Sequence, residues 1–148
     1  MRHIVSRALG NTFQRAERKC QVDVRVVLSS DEIVKGLKHY RRIAKQDVLR
    51  ALETDNPEAF RSHAEARRGV YAHLTEIAET QSPNAVVEEA LECYKGLPFV
   101  SGTGETEHID IKGQENALEN FFLMIGLEAK VRREVRSQRP KLEHNGAH

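Results

Sequence analysis

Two dipeptides, Asn56-Pro57 and Ser82-Pro83, punctuate the middle of this chain. In each, a side chain able to accept from the free N–H groups of a helix start precedes a residue whose ring fixes φ and which lacks an N–H. Such a pair ends one segment and begins the next, so separate helices are predicted over 57–80 and 83–96, the second closing at Gly96. Ser29 followed by Glu32 is a capping-box pattern and predicts a helix from there to about Glu53. Its apolar stripe is Ile33, Leu37, Tyr40, Ala44, Val48 and Ala51.

Outside these helices the signals are looser. Val5, Ala8, Leu9, Phe13, Ala16 and Cys20 recur at helical spacing and predict an amphipathic N-terminal helix over 4–20. VDVRVV (22–27) and HIDIK (108–112) alternate like strands, and the two can pair with each other. A last helix is predicted over 114–137, and a disordered polar tail from Pro140 to the end at 148. The composition is 30% charged, 39% hydrophobic and 5% aromatic, which suits helices. The expected fold is therefore mainly α: one domain over 1–139, a four- to five-helix bundle around the antiparallel hairpin of 30–53 and 57–80, with a small two-stranded β element.

No apolar run approaches the roughly 18 residues of a membrane span, so no membrane is expected. The acid-poor, arginine-rich N-terminus matches a mitochondrial presequence as a minor alternative to a cytoplasmic location. Cys20 and Cys93 lie far apart with no CxxC spacing, and they imply neither a zinc site nor a disulfide framework. The single Glu-x-x-His spacing, Glu105 to His108, falls in a glycine-rich loop, so no metal and no cofactor is assigned. That loop, SGTGE, lacks the Lys-Ser/Thr of a phosphate-binding loop.

Net charge is +1, but it is segregated. Residues 1–28 carry six Lys/Arg against two acids, 130–141 six against one, and 29–129 eleven against eighteen. The basic ends offer Arg7, Arg15, Arg18, Lys130, Arg132, Arg133, Arg136 and Arg139 as contacts for nucleic acid or an acidic partner. In FFLMIGL (121–127), Leu123 and Leu127 lie opposite Phe121 and Ile125. An apolar circumference needs cover on both sides, and either a second copy of the chain in a homodimer or higher oligomer or the chain's own N-terminal helix supplies it.

Inside the predicted hairpin, the stripe of residues 57–80 contains His63, Arg67 and Tyr71 at intervals of four, and that of 30–53 contains Tyr40 and Asp47. Counting outward from the short turn sets Asp47 level with His63 and Tyr40 level with Tyr71. Glu128, near the centre of the last helix's core face, is the remaining inward charge. Buried charges need partners, so Tyr40, Asp47, His63, Arg67, Tyr71 and Glu128 are expected to form one polar cluster. The cluster either fixes helix register or, with His63 as a general base oriented by Asp47, holds a ligand or substrate.

In RRGVYAH (67–73), Arg68, four residues and His73 resemble the Arg-x4-His motif of HEPN ribonucleases, helical proteins that usually dimerise around paired Arg and His side chains at an RNA-cutting site. That resemblance implies metal-independent RNA cleavage. The chain departs from the pattern at Gly69 and in having two more helical segments after the motif. On one helix Arg68 and His73 point about 140° apart. His73 with Glu76 reads as a surface pair. There is no G-x-S-x-G and no Cys beside a His for nucleophilic work. The reading that results is a non-enzymatic oligomeric interaction or regulatory protein, with nucleic-acid binding through the basic ends and an enzyme or ligand site at the inward cluster as alternatives.

Overall fold

The computed structural model describes residues 26–100 and 106–142. The helix expected over 4–20, with Arg7, Arg15 and Arg18, most of VDVRVV, SGTGE (101–105) and residues 143–148 lie outside the described residues. What is described is mainly helical. The helices are α1 (Ser30–Leu49), α2 (Pro57–Thr80), α3 (Pro83–Gly96), α4 (Ile109–Ile125) and α5 (Ala129–Ser137), with a 3-10 turn at Ala51–Glu53.

Local chemistry accounts for the first three starts. The Ser29 hydroxyl accepts from the Glu32 N–H at 3.2 Å while the Ser29 N–H donates to the Glu32 carboxylate at 3.1 Å, closing the capping box. Asn56 caps α2 through the Ala59 N–H, and Ser82 caps α3 through the Ala85 N–H. Each is followed by proline in the first turn. The side-chain contacts between α1 and α2 are Lys38 to Glu79, Tyr40 to Tyr71 and Asp47 to Arg67, so residue numbers rise along one helix as they fall along the other.

The core collects Ile33, Leu37 and Ala44 of α1, Tyr71, Leu74 and Ala78 of α2, Val86, Ala90 and Tyr94 of α3, and Leu118, Phe121 and Phe122 of α4. Tyr94 meets Phe122 edge to face at 5.2 Å, an arrangement that the ring quadrupoles favour. At Gly113, α4 crosses α2 almost backbone to backbone. A Cβ there would stand 2.6 Å from the His63 carbonyl oxygen and 2.8 Å from the Ala66 Cβ, so only glycine permits the approach.

Three expectations are corrected. HIDIK is the entry to α4: Ile109 and Ile111 begin a helix that continues through Ala117 and Phe121, and His108 stands before it in the left-handed region at φ 53°. Five alternating residues without a partner strand do not outweigh that longer period. The single helix expected over 114–137 is broken at Gly126, which has φ +75°. There the Gly126 N–H donates to the Leu123 carbonyl and the Leu127 N–H to the Phe122 carbonyl, a glycine C-cap that satisfies the last free carbonyls of α4. Finally, the expected pairing of VDVRVV with HIDIK is absent among the described residues. The one bridge there is parallel, between Phe99 and Lys141, with the Phe99 N–H donating to the Pro140 carbonyl at 2.9 Å. Pro140 and Lys141, where the polar tail was expected to begin, thus lie against the segment that follows α3.

Candidate functional site

The turn between α1 and α2 sets their register, and that register brings together three of the inward polar residues. Arg67 Nη2 donates to Asp47 Oδ2 at 2.8 Å, and Arg67 Nε donates to His63 Nδ1 at 3.1 Å. The Arg67 and Asp47 side chains are 12% and 20% exposed, so the pair is largely withdrawn from water. Because His63 Nδ1 accepts a hydrogen bond, the imidazole there is neutral. Burial first and the neighbouring guanidinium second push its pKa below 6.5, while Asp47 acts weakly the other way.

One turn further along, Tyr40 stacks on Tyr71 with ring centroids 5.3 Å apart. The buried Tyr71 hydroxyl accepts from Asn120 at 3.1 Å, and Asn120 also donates to Asn116. Burial raises the Tyr71 pKa, so this hydroxyl stays a neutral phenol. Asn116 and Asn120 belong to α4 and were not among the sequence candidates. Their i, i+4 spacing on the helix carrying Phe121 was the available signal.

Glu128 is not in this cluster. The wheel that placed it inward assumed an unbroken helix, and past Gly126 it becomes the exposed N-cap residue of α5. Among the described residues no buried side-chain nitrogen or oxygen lacks a hydrogen-bond partner. The fully buried polar atoms of the interior cluster are therefore all paired within the protein.

The basic C-terminal candidates divide sharply. Arg139 is not a surface cation: its side chain is fully buried, it donates to the Leu97 and Pro98 carbonyls at 2.8 and 2.9 Å, and it pairs with Glu115. Its guanidinium also lies over the Tyr94 and Phe99 rings at 5.0 and 4.9 Å. Arg136 pairs with Glu119 at 3.6 Å and is half-buried, as is Arg132. Lys130 and Arg133 are exposed.

A more continuous cationic surface lies on α1. Lys35, Lys38, Arg41, Arg42 and Lys45 are all exposed, and no acid occurs between Glu32 and Asp47. At 100° per residue the five occupy an arc of about 120°, whose centre lies about 140° from Ile33 and about 100–120° from Leu37 and Ala44. Lys38 pairs with Glu79 at 3.5 Å, and the other four stand outside any ion pair among the described residues. In the net charge of 29–129 this face disappears. There the acids of α2 and α3, such as Glu76, Glu79, Glu88 and Glu92, outnumber it.

Arg68 is exposed, and His73, its partner in the HEPN-like spacing, turns to α3: His73 Nε2 lies 2.6 Å from Glu89 Oε2, replacing the expected surface pair with Glu76. The Cys93 thiol donates to the same carboxylate oxygen at 3.7 Å. Burial and the Glu89 charge push that thiol up to about 11, so in this geometry it is protonated. His73, Glu89 and Cys93 are the group of metal-ligand side chains that converges among the described residues.

Comparison with known proteins found no matching family model, no matching curated sequence and no matching solved structure.

Proposed function

We propose that this chain is a non-enzymatic interaction protein whose recognition surface is the outer face of α1, and that the partner is polyanionic, a nucleic-acid phosphate backbone. The observation that carries this reading is the run of Lys35, Lys38, Arg41, Arg42 and Lys45 on one exposed arc of α1, with no acid between Lys35 and Lys45. Cations on a rigid helix release counterions when they meet phosphates, and they do so without reading sequence. In this view α1 and α2 form an antiparallel hairpin around which α3, α4 and α5 gather as a bundle, and the interior charges hold that hairpin in register.

Self-association is a second reading with its own observation. Leu123 is 69% exposed on α4, on the side away from Phe121 and Ile125, and nothing among the described residues covers it. A second copy meeting at residues 121–127 would bury it.

Salt dependence tests the first reading. Affinity for a mixed-sequence duplex should fall on the order of 100-fold between 50 and 200 mM salt if about four phosphates are contacted. Binding that is absent at low salt, or insensitive to salt, rejects a phosphate backbone as the partner.

A further inference from the structure

We propose that His73, Glu89 and Cys93 form a binding site for a divalent cation of the zinc class, clamping α2 to α3. The two helices contribute unequally. Glu89 and Cys93 are one turn apart on the same face of α3, and His73 reaches them from α2. Their donor atoms Nε2, Oε2 and Sγ all lie within 4.8 Å of one another, with Oε2 2.6 Å from the imidazole nitrogen and 3.7 Å from the sulfur.

A tetrahedral zinc ion stands about 2.0–2.1 Å from nitrogen, about 2.0–2.2 Å from oxygen and about 2.3 Å from sulfur. Those bonds need donor-to-donor separations of roughly 3.3–3.7 Å. The sulfur-to-oxygen distance already meets this. The nitrogen and oxygen must part by less than about 1 Å and the nitrogen and sulfur draw no more than about 1.5 Å closer, movements that side-chain torsions supply without shifting either backbone.

The donor set selects the ion. Imidazole and thiolate beside one carboxylate suit a borderline-soft dication and disfavour magnesium or calcium, which take oxygen ligands. Access is open, since the His73 and Glu89 side chains are 49% and 36% exposed, which leaves room for a water as the fourth ligand. The surrounding field is favourable too. Glu76 lies one turn beyond His73 on α2, and Glu88 and Glu92 flank the other two ligands on α3, all three exposed.

Binding balances as a ligand exchange with no redox step. The aquo ion loses waters to His73, Glu89 and Cys93; the thiol proton passes to solvent as the sulfur–metal bond forms. The imidazole proton that Nε2 presents to the Glu89 carboxylate is exchanged through solvent to Nδ1, so the ring stays neutral and Nε2 is freed to coordinate. One proton is released per ion bound.

The test uses the full chain, treated with a chelator and exchanged into metal-free buffer, and Co²⁺ as the probe. One equivalent should produce a thiolate-to-cobalt charge-transfer absorption in the near ultraviolet and visible bands of four-coordinate intensity, and Zn²⁺ should displace both. Cys93→Ser should abolish the near-ultraviolet band with an unchanged helical circular dichroism spectrum. Glu89→Gln and His73→Gln should each weaken Co²⁺ affinity at least 10-fold, and Cys20→Ser should bind like the wild type. A band that survives in Cys93→Ser, a band lost in Cys20→Ser, or no band at saturating Co²⁺ would overturn the assignment and leave the three residues as a hydrogen-bonded surface group only.

Discussion

Arg67 and Arg139 are both withdrawn from water in a protein rich in surface arginines, yet they are held in different ways. Arg67 takes its partners from nearby chain: His63 one turn back on α2, and Asp47 across a turn of a few residues. Arg139 takes its partners from far away, at the Leu97 and Pro98 carbonyls, Glu115 and the rings of Tyr94 and Phe99. Those two carbonyls follow the end of α3, where the last carbonyls of a helix are short of donors and the dipole favours a cation. One arginine sets the register of two neighbouring helices. The other ties the last described segment to α3 and α4.

The largest effect should come from the distant site. Arg139→Ala removes the cation while leaving Glu115 and two carbonyls without their donor, and it should cost about 3–5 kcal/mol in urea denaturation. Arg139→Lys should recover only a minor part, because a single ammonium cannot reach both carbonyls and the carboxylate in the plane the guanidinium occupies. Full recovery by lysine would show that charge, and not the geometry of the fork, holds the segment.

Asp47→Asn should be milder, about 1–3 kcal/mol by the same measurement, since the amide still offers Arg67 an acceptor and the pair is partly solvated. A loss as large as that of Arg139→Ala would erase the distinction between a register pair and a tertiary anchor.

Smallest is the titration of His63. Its folded pKa lies below the unfolded value of 6.5, so between those two values the unfolded chain binds the proton first. The stability this group contributes is full above pH 6.5 and is lost as pH falls from 6.5 towards the folded pKa. His63→Gln, whose side-chain oxygen can still accept from Arg67, should flatten that part of the stability profile relative to wild type. An unchanged slope would mean that His63 does not hold the neutral, accepting form assigned to it.

How much of this was legible follows the same division between near and far. The caps at Ser29, Asn56 and Ser82 are decided within four residues, and the helix starts they imply coincide with those observed. The approach of Asp47 to Arg67 and of Tyr40 to Tyr71 needs only two helical periods and one short turn. Glu128 went astray because the period was carried through Gly126, whose left-handed φ resets the direction of the chain. The entry to α4 was hidden by five alternating residues, and the close crossing at Gly113 depends on where α4 lands on α2, which no local pattern encodes. Arg139 sits in a run of six cations that a charge count cannot tell apart. Likewise His73 was paired with Glu76 on its own helix, because the nearness of Glu89 is a property of α2 against α3.

On the function proposed above, the charge inside this protein holds the fold and the charge on the outer face of α1 meets the partner. Duplex affinity at low salt, measured for Asp47→Asn and for the triple variant Arg41→Glu, Arg42→Glu, Lys45→Glu, tests it most directly, with melting temperature recorded for both. The triple variant should lose on the order of 100-fold or more in affinity while melting like the wild type, and Asp47→Asn should melt lower while binding as before. A triple variant that binds like the wild type, or an Asp47→Asn that remains folded yet no longer binds, would contradict the account.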